Sequence, residues 1–296
     1  MTIKKTYSET TNREFLSDMI TNISPYDTPI HSMIGKQNVG ATKVEWPEDV
    51  LRAPGSNKHV EGASDVAALG TPTNRSRLYN YTQIFKEGYE VSETQQEVDK
   101  AGVSDELDYN MLKAMKTIAQ DVEYMYMNST AAVAGDASTA RESGGLQASI
   151  TTNVFSNGGT TRFITEALLN DGLQSAWAAG GDALDIICSG SNKRRLSAFT
   201  AGNTKQVDAK DKKLIATVAV YESDFGLAKF HASRYIPDTL IFGLDKQYLK
   251  CGYLRNFKRK PLPDTNDSKS EIIKGELCLI TRAEKAHFII KDLKIS

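Results

Sequence analysis

Few side chains of this sequence combine the residue types and the spacing that catalysis requires. The four histidines lie far apart, and we expect each to have a structural or solvated role: His31, His59, His231 and His287. The sequence has no HExxH, GxSxG, Walker A or GxGxxG pattern. We therefore predict no catalytic residue, no cofactor site and no metal site, and we expect that the protein is not an enzyme.

One stretch has the composition of an anion site at the start of a helix. Ser189-Gly-Ser-Asn-Lys-Arg-Arg follows a short apolar run, and helix N-termini attract anions. Capping of the helix by Ser191 or Asn192 explains the same residues, and we favour capping. An unrecognised active site in this stretch or at His231 is the alternative from the enzyme class.

A second basic stretch lies closer to the C-terminus. Contact with phosphate is one interpretation, but we favour a solvated turn before Pro261; the residues are Arg255, Phe257, Lys258, Arg259 and Lys260. The whole chain of 296 residues has a formal net charge of -1, whereas dedicated nucleic-acid binders are usually strongly basic. The charge argues against a dedicated nucleic-acid binder and leaves room for a local basic face.

The three cysteines indicate buried free thiols. Cys188, Cys251 and Cys278 each lie within or beside an apolar run, without CxxC spacing, so they predict neither a disulfide framework nor a zinc site. A reducing compartment fits them best. No apolar run approaches the roughly 20 residues that span a bilayer, and the N-terminus has no secretory signal pattern. We expect a soluble, non-secreted protein without membrane contact.

A long helix is the element around which the other predicted elements are arranged. From Val103 to Thr130, apolar residues recur at spacings of three and four, which places them on one face: Leu107, Met111, Met115, Ile118, Val122 and Met125. We predict Ser104 as the N-cap and Glu123 as a solvated residue. The helix would be about 40 Å long. Its single apolar stripe suggests packing against a sheet.

The first 38 residues are predicted to form an arm. A polar start is followed by the apolar Phe15 and Met19, which an arm cannot bury by itself. Pro25 and Pro29 disfavour a helix and favour an extended or turning path. We expect the arm to lie along another surface, such as that of a second copy.

A protruding two-stranded loop is predicted next. Thr42, Val44 and Trp46 alternate along one strand, and Arg77 to Val91 forms the other, with Tyr79, Tyr81, Gln83 and Phe85 on one face. The connection between them is long and rich in small and polar residues. An isolated hairpin is marginal in water, so it needs a partner surface. The expected assembly contacts are Phe15, Met19, Trp46, Pro54, Tyr79, Tyr81 and Phe85.

The remaining elements mix helices and strands without a regular βαβ order, which predicts the α+β class. They are a helix at Thr161–Ala178, a strand at Leu184–Cys188, a hairpin at Ile215–Tyr221 and Leu227–Ala232, a strand at Thr239–Leu244 and a last hairpin at Leu277–Thr281 and His287–Ile290.

The order of these pieces resembles that of a known family. The sequence is similar to the tailed-phage major capsid (major head) proteins of the Hong Kong 97-type fold, in particular to the SU-ten-like group. The matching pieces are Ser24-Pro-Tyr-Asp-Thr-Pro, Val44-Glu-Trp with Asp49 and Leu51, Val91-Ser-Glu-Thr-Gln-Gln-Glu-Val with Gly102, Asp121-Val-Glu, Ala137-Ser-Thr-Ala-Arg-Glu-Ser-Gly-Gly-Leu, Ile150-Thr-Thr-Asn, Asp224-Phe-Gly with Arg234 and Pro237, and Leu254-Arg255.

The resemblance implies a domain organisation. Residues 1–38 would be the N-terminal arm, 39–92 the extended β-hairpin loop and 93–160 the peripheral domain with the spine helix. Residues 161–250 would form the axial domain, and 251–296 would supply the return strands of the peripheral domain.

The resemblance also implies partners and a location. Copies of the chain would assemble in the host cytoplasm into the hexamers and pentamers of an icosahedral virion capsid, in non-specific contact with packaged double-stranded DNA. A portal, a decoration protein and a separate scaffolding protein are further expected partners. Some members carry a scaffolding segment ahead of the arm, and we expect none here because fewer than about forty residues precede the first strand. An encapsulin-like compartment shell is the alternative within this fold.

Overall fold

The described part of the chain combines two sheets with a long helix and a separate ribbon. The computed structural model describes residues 27–62, 64, 75–98, 105–199, 220–263 and 267–294. One sheet has four strands, a second has six, and two further strands pair only with each other. Helices and strands are mixed along the chain, in agreement with the predicted α+β class.

The elements are numbered in chain order. The strands are β1 (Gly35–Asn38), β2 (Lys43–Glu48), β3 (Ser76–Tyr81), β4 (Gln83–Ser92), β5 (Val154–Phe155), β6 (Asp185–Cys188), β7 (Val220–Ser223), β8 (Gly226–Ala232), β9 (Ile241–Leu244), β10 (Leu249–Pro261), β11 (Ser268–Thr281) and β12 (Phe288–Ile290). The helices are α1 (Pro29–Met33), α2 (Glu93–Glu97), α3 (Glu106–Asn128), α4 (Leu146–Ser149), α5 (Glu166–Ala178) and α6 (Gly190–Phe199).

The four-stranded sheet carries the long helix. Its order is β1-β10-β11-β4, with β1 parallel to β10 and the other pairs antiparallel. One face packs against α3, where Ile118 and Val122 meet Phe85 and Leu277 in one core cluster. The basic stretch at residues 255–260 lies inside β10, so the predicted solvated turn is wrong. Its pairing with β11 supplies the backbone hydrogen bonds that a turn would leave to water.

The long helix begins one residue later than predicted. Asp105 is the N-cap, and its carboxylate accepts hydrogen bonds from the backbone N–H groups of Leu107 (2.8 Å) and Asp108 (3.2 Å). Its 23 residues correspond to about 35 Å. The predicted cap Ser104 lies outside the described residues.

Burial along α3 differs between its two halves. In its first half Ala114 is buried and the predicted Leu107 and Met111 are half-buried. In its second half Val122, Glu123, Met125, Tyr126 and Met127 are all buried. Met115, assigned to the apolar stripe, is 52% exposed. The expected solvation of Glu123 is wrong because the chain around α1 covers this half of the helix.

The ribbon is formed by β2 and β3. They pair antiparallel from Lys43 opposite Tyr81 to Glu48 opposite Ser76, which confirms the predicted pair of strands. The predicted second strand is interrupted at Thr82, however, and the side of the chain that is buried changes there: Asn80 and Phe85 are buried while Tyr79 is exposed. The expected common face of Tyr79, Tyr81, Gln83 and Phe85 is therefore wrong.

The cause of the interruption is the buried side chain of Asn80. Its amide nitrogen donates to the carbonyls of Leu279 (2.6 Å) and Gly144 (2.9 Å), and its amide oxygen accepts from the backbone N–H of Gly144 (2.8 Å). These bonds fix the base of the ribbon to the body of the subunit.

The six-stranded sheet has the order β5-β12-β9-β6-β8-β7. It packs with α5 and α6 around a second core that contains Leu169, Ile186 and Phe288. The hairpin β7–β8 turns at the predicted Ser223-Asp-Phe-Gly, and its predicted start at residues 215–219 lies outside the described part. The three cysteines are buried and free, as predicted.

The predicted last hairpin is wrong. β11 belongs to the four-stranded sheet, whereas β12 pairs antiparallel with β9 and parallel with β5. All three residues of β12 are buried, since it is an inner strand of the six-stranded sheet. Residues 288–290 thus lie in the six-stranded sheet, apart from the sheet that contains β10 and β11.

Candidate assembly surfaces

The segment that continues the ribbon exposes apolar side chains. Every residue from 49 to 62 is exposed and none is helical or in a strand. Leu51 is 93% exposed, Val60 81% and Val50 60%. Single exposed apolar residues are ordinary on protein surfaces, but three in fourteen residues of extended chain are typical of a segment covered by a partner.

Charges and aromatic rings line one face of the ribbon itself. Glu45 lies between two cations, 2.6 Å from Lys43 and 3.3 Å from Arg77. The Lys43 ammonium is 4.7 Å from the ring of Tyr79, which contacts Tyr81 edge-on at 5.6 Å. Exposed ion pairs contribute little to stability. These ion pairs therefore contribute little to the stability of the ribbon.

The residues expected to make assembly contacts are distributed over several surfaces. Trp46 is half-buried and lies on the ribbon face opposite Tyr79 and Tyr81; Pro54 is exposed in the segment beyond. Phe85 is 6% exposed because it packs in the core under α3. Phe15 and Met19 lie outside the described residues. The contacts of all seven with other copies stay a prediction.

The chain that follows the arm is fixed to α3 by a buried carboxylate. Glu123 is fully buried, and its two oxygens accept hydrogen bonds from the backbone N–H groups of Ile30 (2.8 Å) and His31 (2.9 Å). Burial raises the pKa of Glu123 to about 7, against the lowering effect of these two donors. Pro29 occupies the first turn of α1, a position that proline favours, so the predicted non-helical path is wrong there.

The ring of His31 completes this anchor. Its two nitrogens lie 3.3 Å from the Tyr126 hydroxyl and 3.2 Å from the Tyr253 hydroxyl. Burial and then the nearby Lys36 lower the pKa of His31. Sequence patterns missed the anchor, although the apolar neighbours of Glu123 on every side of the helix were a signal of burial.

A second buried carboxylate connects the ribbon, the loop after α3 and the long hairpin. Glu276 is 3% exposed, and it contacts the guanidinium groups of Arg141 (2.6 Å) and Arg255 (2.8 Å). The hydroxyl of Thr82, at the base of the ribbon, donates to it at 2.7 Å. Part of the basic stretch thus binds an internal acid.

A third polar cluster fixes the hairpin β10–β11 to the start of α3. Arg259 pairs with Glu271 and, at 3.0 Å, with Asp108. The Tyr89 hydroxyl also donates to Glu271, and burial together with this bond raises the pKa of Tyr89 to about 12. These contacts hold the sheet and the helix in one orientation.

The candidate anion site at Ser189 is occupied by the protein's own groups. The Ser189 hydroxyl accepts from the backbone N–H of Asn192 at 3.4 Å, and Ser191 donates to Asp238. This geometry supports helix capping, with Ser189 in place of the expected Ser191 or Asn192. Residues 27–62, 64, 75–98, 105–199, 220–263 and 267–294 contain no cluster of metal ligands. In those same ranges no helix is long and apolar enough to cross a membrane.

Two of the histidines have polar partners inside the six-stranded half. His231 lies 3.1 Å from Asp185. His287 is fully buried and accepts a hydrogen bond from the backbone N–H of Asp245, and burial lowers its pKa to about 4. Such contacts are those of structural histidines.

Helix α3 and the six-stranded half carry further exposed apolar side chains. On α3 these are Leu112, Met115 and Tyr124, each more than half exposed. On the six-stranded half, Trp177 is 58% exposed, and its ring centroid lies 5.7 Å from that of Phe225 with the planes tilted by 44°. The hairpin that contains Phe225 also carries the exposed Leu227. Apolar surface is therefore exposed on several separate elements, as in a subunit that contacts more than one neighbour.

Comparison with known proteins gives concordant matches. Residues 3–294 match the sequence profile of the SU10 major capsid protein family. A major capsid protein of Escherichia phage Phieco32 is 31% identical over 131 residues, which are 44% of this chain and 37% of that protein. The chain thus matches just over a third of the length of that relative.

Solved structures share the fold at low sequence identity. The cyanophage A-1(L) capsid asymmetric unit has a TM-score of 0.73 at 14% identity, with 98% of this chain and 99% of that chain covered. The holo-SrpI encapsulin complex from Synechococcus elongatus PCC 7942 has a TM-score of 0.64 at 9% identity, with 100% and 98% covered.

Proposed function

The chain belongs to the family of SU10 major capsid proteins, with the Hong Kong 97-type fold, and we propose that it forms the icosahedral shell of a tailed bacteriophage. The family and the fold that the sequence resembles are confirmed. In this proposal, copies of the chain associate in the host cytoplasm into hexamers and pentamers that enclose double-stranded DNA.

The exposed ribbon carries the proposal. Its outer segment buries none of its described side chains within the subunit, although Leu51 and Val60 are apolar. Overlap with a neighbouring copy would remove this surface from water, at about 25 cal/mol per Å² of apolar area. Because such contacts recur around closed rings, individually weak interfaces would give a stable shell.

Buried polar side chains fix the points on the subunit from which the ribbon and the arm would extend. Glu276 and Asn80 hold the base of the ribbon, and Glu123 holds the chain that follows the arm. Ribbon and arm would then extend from fixed points on a rigid body.

Direct observation of particles tests the proposal. We expect the purified full-length protein to form closed shells with ordered five-fold and six-fold arrays in electron micrographs. Shells from phage-infected cells should contain double-stranded DNA. A protein that remains a monomer at every concentration and salt tested would contradict the proposal.

The similarity to an encapsulin favours one alternative, a protein compartment without a genome. Particles isolated from cells distinguish the two functions. Cargo protein without packaged DNA would support the compartment, whereas genome-length DNA would support the phage head. A portal, a scaffolding protein and a decoration protein belong to the phage-head proposal, and co-purification with particles or their precursors tests each.

A further inference from the structure

Three lysines lie side by side on the face of the four-stranded sheet that α3 does not cover. Lys258 of β10 is opposite Lys274 of β11, and Lys274 is opposite Lys86 of β4. Adjacent strands are about 4.8 Å apart, so the three side chains form one row across three strands. We call Lys86, Lys258 and Lys274 the lysine row.

The alternation along each strand places the row on the outer face. Phe85, Phe257 and Ile273 precede the three lysines and belong to the core beneath α3. Successive side chains of a strand point to opposite faces. The lysines therefore point away from the helix, and all three are exposed.

Acids lie near the row, but among the described residues none of them pairs with its lysines: Lys86 lines a groove with Asp121 and Glu142. In the described ranges none of its members forms an ion pair, whereas the nearby Arg141 and Arg255 are both engaged by Glu276. Like charges opposite each other in a sheet are destabilising. A row of three is a cost to the isolated subunit that an anionic partner would relieve.

The surroundings of the row favour a polypeptide as the partner. An open groove of about 360 Å³ adjoins it, lined by Leu254, Arg255, Asn256, Lys258 and Lys274. On the same face, Ile84 is 48% exposed, and Ile272 of β11 is partly exposed. Apolar contacts beside point charges suit a segment with acidic and aliphatic side chains. Lysines also bind phosphates, but a nucleic acid backbone offers no apolar group for the exposed Ile84 and Ile272.

The chain's own ribbon lacks the complementary charge. Residues 43–81 carry five basic and five acidic side chains. We propose that the lysine row is a docking surface for an acidic, partly aliphatic segment of a different protein. This inference goes beyond shell formation and does not depend on it.

A binding experiment with defined probes tests the surface. The full-length protein is titrated with a fluorescent twelve-residue peptide of glutamates with interspersed leucines and, separately, with a duplex DNA of twenty base pairs. The variant is Lys86→Gln, Lys258→Gln and Lys274→Gln combined. The matched control replaces three exposed lysines from other surfaces: Lys58→Gln, Lys229→Gln and Lys285→Gln.

We expect the row variant to lose about tenfold in affinity for the peptide, since three exposed ion pairs are removed and each is weak. The control should bind as the wild type does. The row variant should unfold at the same temperature as the wild type or slightly higher, because repulsion is relieved. Equal peptide affinity of the two variants would overturn the proposal, as would a larger loss for the duplex DNA than for the peptide.

Particle formation by the row variant separates this inference from the proposed function. Intact shells combined with lost peptide binding would support both. Intact shells with unchanged peptide binding would remove the docking surface and leave the shell function in place.

Discussion

At the scale of single residues, buried carboxylates determine how the ribbon and the chain around α1 attach to the body. Glu123 has an ordinary pKa of 4.5 and a pKa of about 7 in the folded subunit, because burial disfavours its charge. The folded state therefore binds more protons than the unfolded state between these values. The contribution of Glu123 to stability is best below pH 4.5 and falls as the pH rises to about 7.

The first prediction follows from this linkage. Glu123→Gln should flatten the decline in the free energy of unfolding between pH 5 and 8, a decline of about 3 kcal/mol in the wild type from this residue. The pKa of His31 is lowered, so its own contribution makes stability rise with pH just below its ordinary pKa of 6.5. This contribution is present in both proteins. Urea unfolding at several pH values measures the difference. Glu97→Gln, at an exposed site, serves as the control and should unfold with the pH profile of the wild type. A wild-type pH profile for Glu123→Gln would contradict the raised pKa of Glu123.

The second prediction concerns Glu276. Glu276→Ala leaves Arg141 and Arg255 without their shared acid and Thr82 without its acceptor. The variant should lose about 2 kcal/mol through the missing charged hydrogen bonds, because both guanidinium groups stay partly hydrated, at 27% and 52% exposure. Denaturant unfolding should show this loss. Glu90→Ala on the neighbouring strand, which removes an acid without a guanidinium partner among the described residues, serves as the comparison. A similar loss of stability in both variants would mean that the ion pairs of Glu276 with Arg141 and Arg255 add nothing to the free energy of unfolding.

At the scale of elements, the end of the spine helix packs closely against the loop that follows it. A Cβ atom at Gly145 would lie 2.5 Å from the carbonyl oxygen of Met125 and 2.7 Å from that of Tyr126. These are backbone atoms of the last turns of α3, which cannot move away as a flexible side chain can. Only glycine therefore allows α4 to start there.

The third prediction compares two glycines. Gly145→Ala should lower the free energy of unfolding by about 2–3 kcal/mol, as overpacking in a close contact does. Gly40→Ala, where nothing lies within 4 Å of the added Cβ, should change it by less than about 0.5 kcal/mol. Thermal unfolding of the two variants at equal concentration measures the contrast. Equal stabilities would show that α4 shifts without cost.

Local patterns predicted those elements whose burial follows from their own sequence. The three- and four-residue spacing identified α3, and apolar runs identified β6 and β9. The errors occurred where distant residues decide. Asn80 interrupts a strand because of partners at Gly144 and Leu279, and Glu123 is buried because α1 covers it. β12 left its expected hairpin because the six-stranded sheet offered two partner strands.

For the candidate assembly residues, too, the local pattern was predictable and the effect of distant residues was not. The ribbon was predictable from its alternation and from the long polar connection. Which of its residues face outward was not, since the change at Thr82 depends on the distant partners of Asn80 at Gly144 and Leu279. The strongest exposed apolar residues, Leu51 and Val60, lie in a stretch whose composition had indicated only a loop.

At the scale of the whole molecule, the ribbon pairs with neither large sheet and is joined to the body at its base by the hydrogen bonds of Asn80. Exposed apolar side chains occur on three parts of the subunit: the segment that continues the ribbon, α3, and the six-stranded half around Trp177. A subunit in a closed shell has neighbours on several sides, and this distribution is what such a position requires.

The fourth prediction separates assembly from folding. Leu51→Asp combined with Val60→Asp should leave the unfolding temperature of the subunit unchanged, because both side chains are exposed, at 93% and 81%. Shell formation should fall sharply, since two charges would have to be buried at each ribbon contact. Ser56→Asp combined with Ser64→Asp adds the same charge to the same segment without removing an apolar group.

Sedimentation and electron microscopy measure the outcome for both proteins. Shells from the serine variant but not from the apolar variant would show that Leu51 and Val60 are covered by a neighbour. Shells from both would mean that the ribbon's outer segment stays in water after assembly. Loss of shells in both would mean that the added charge, and not the loss of apolar contact at Leu51 and Val60, prevents assembly. Each result is independent of subunit stability because the substituted side chains contribute nothing to the core.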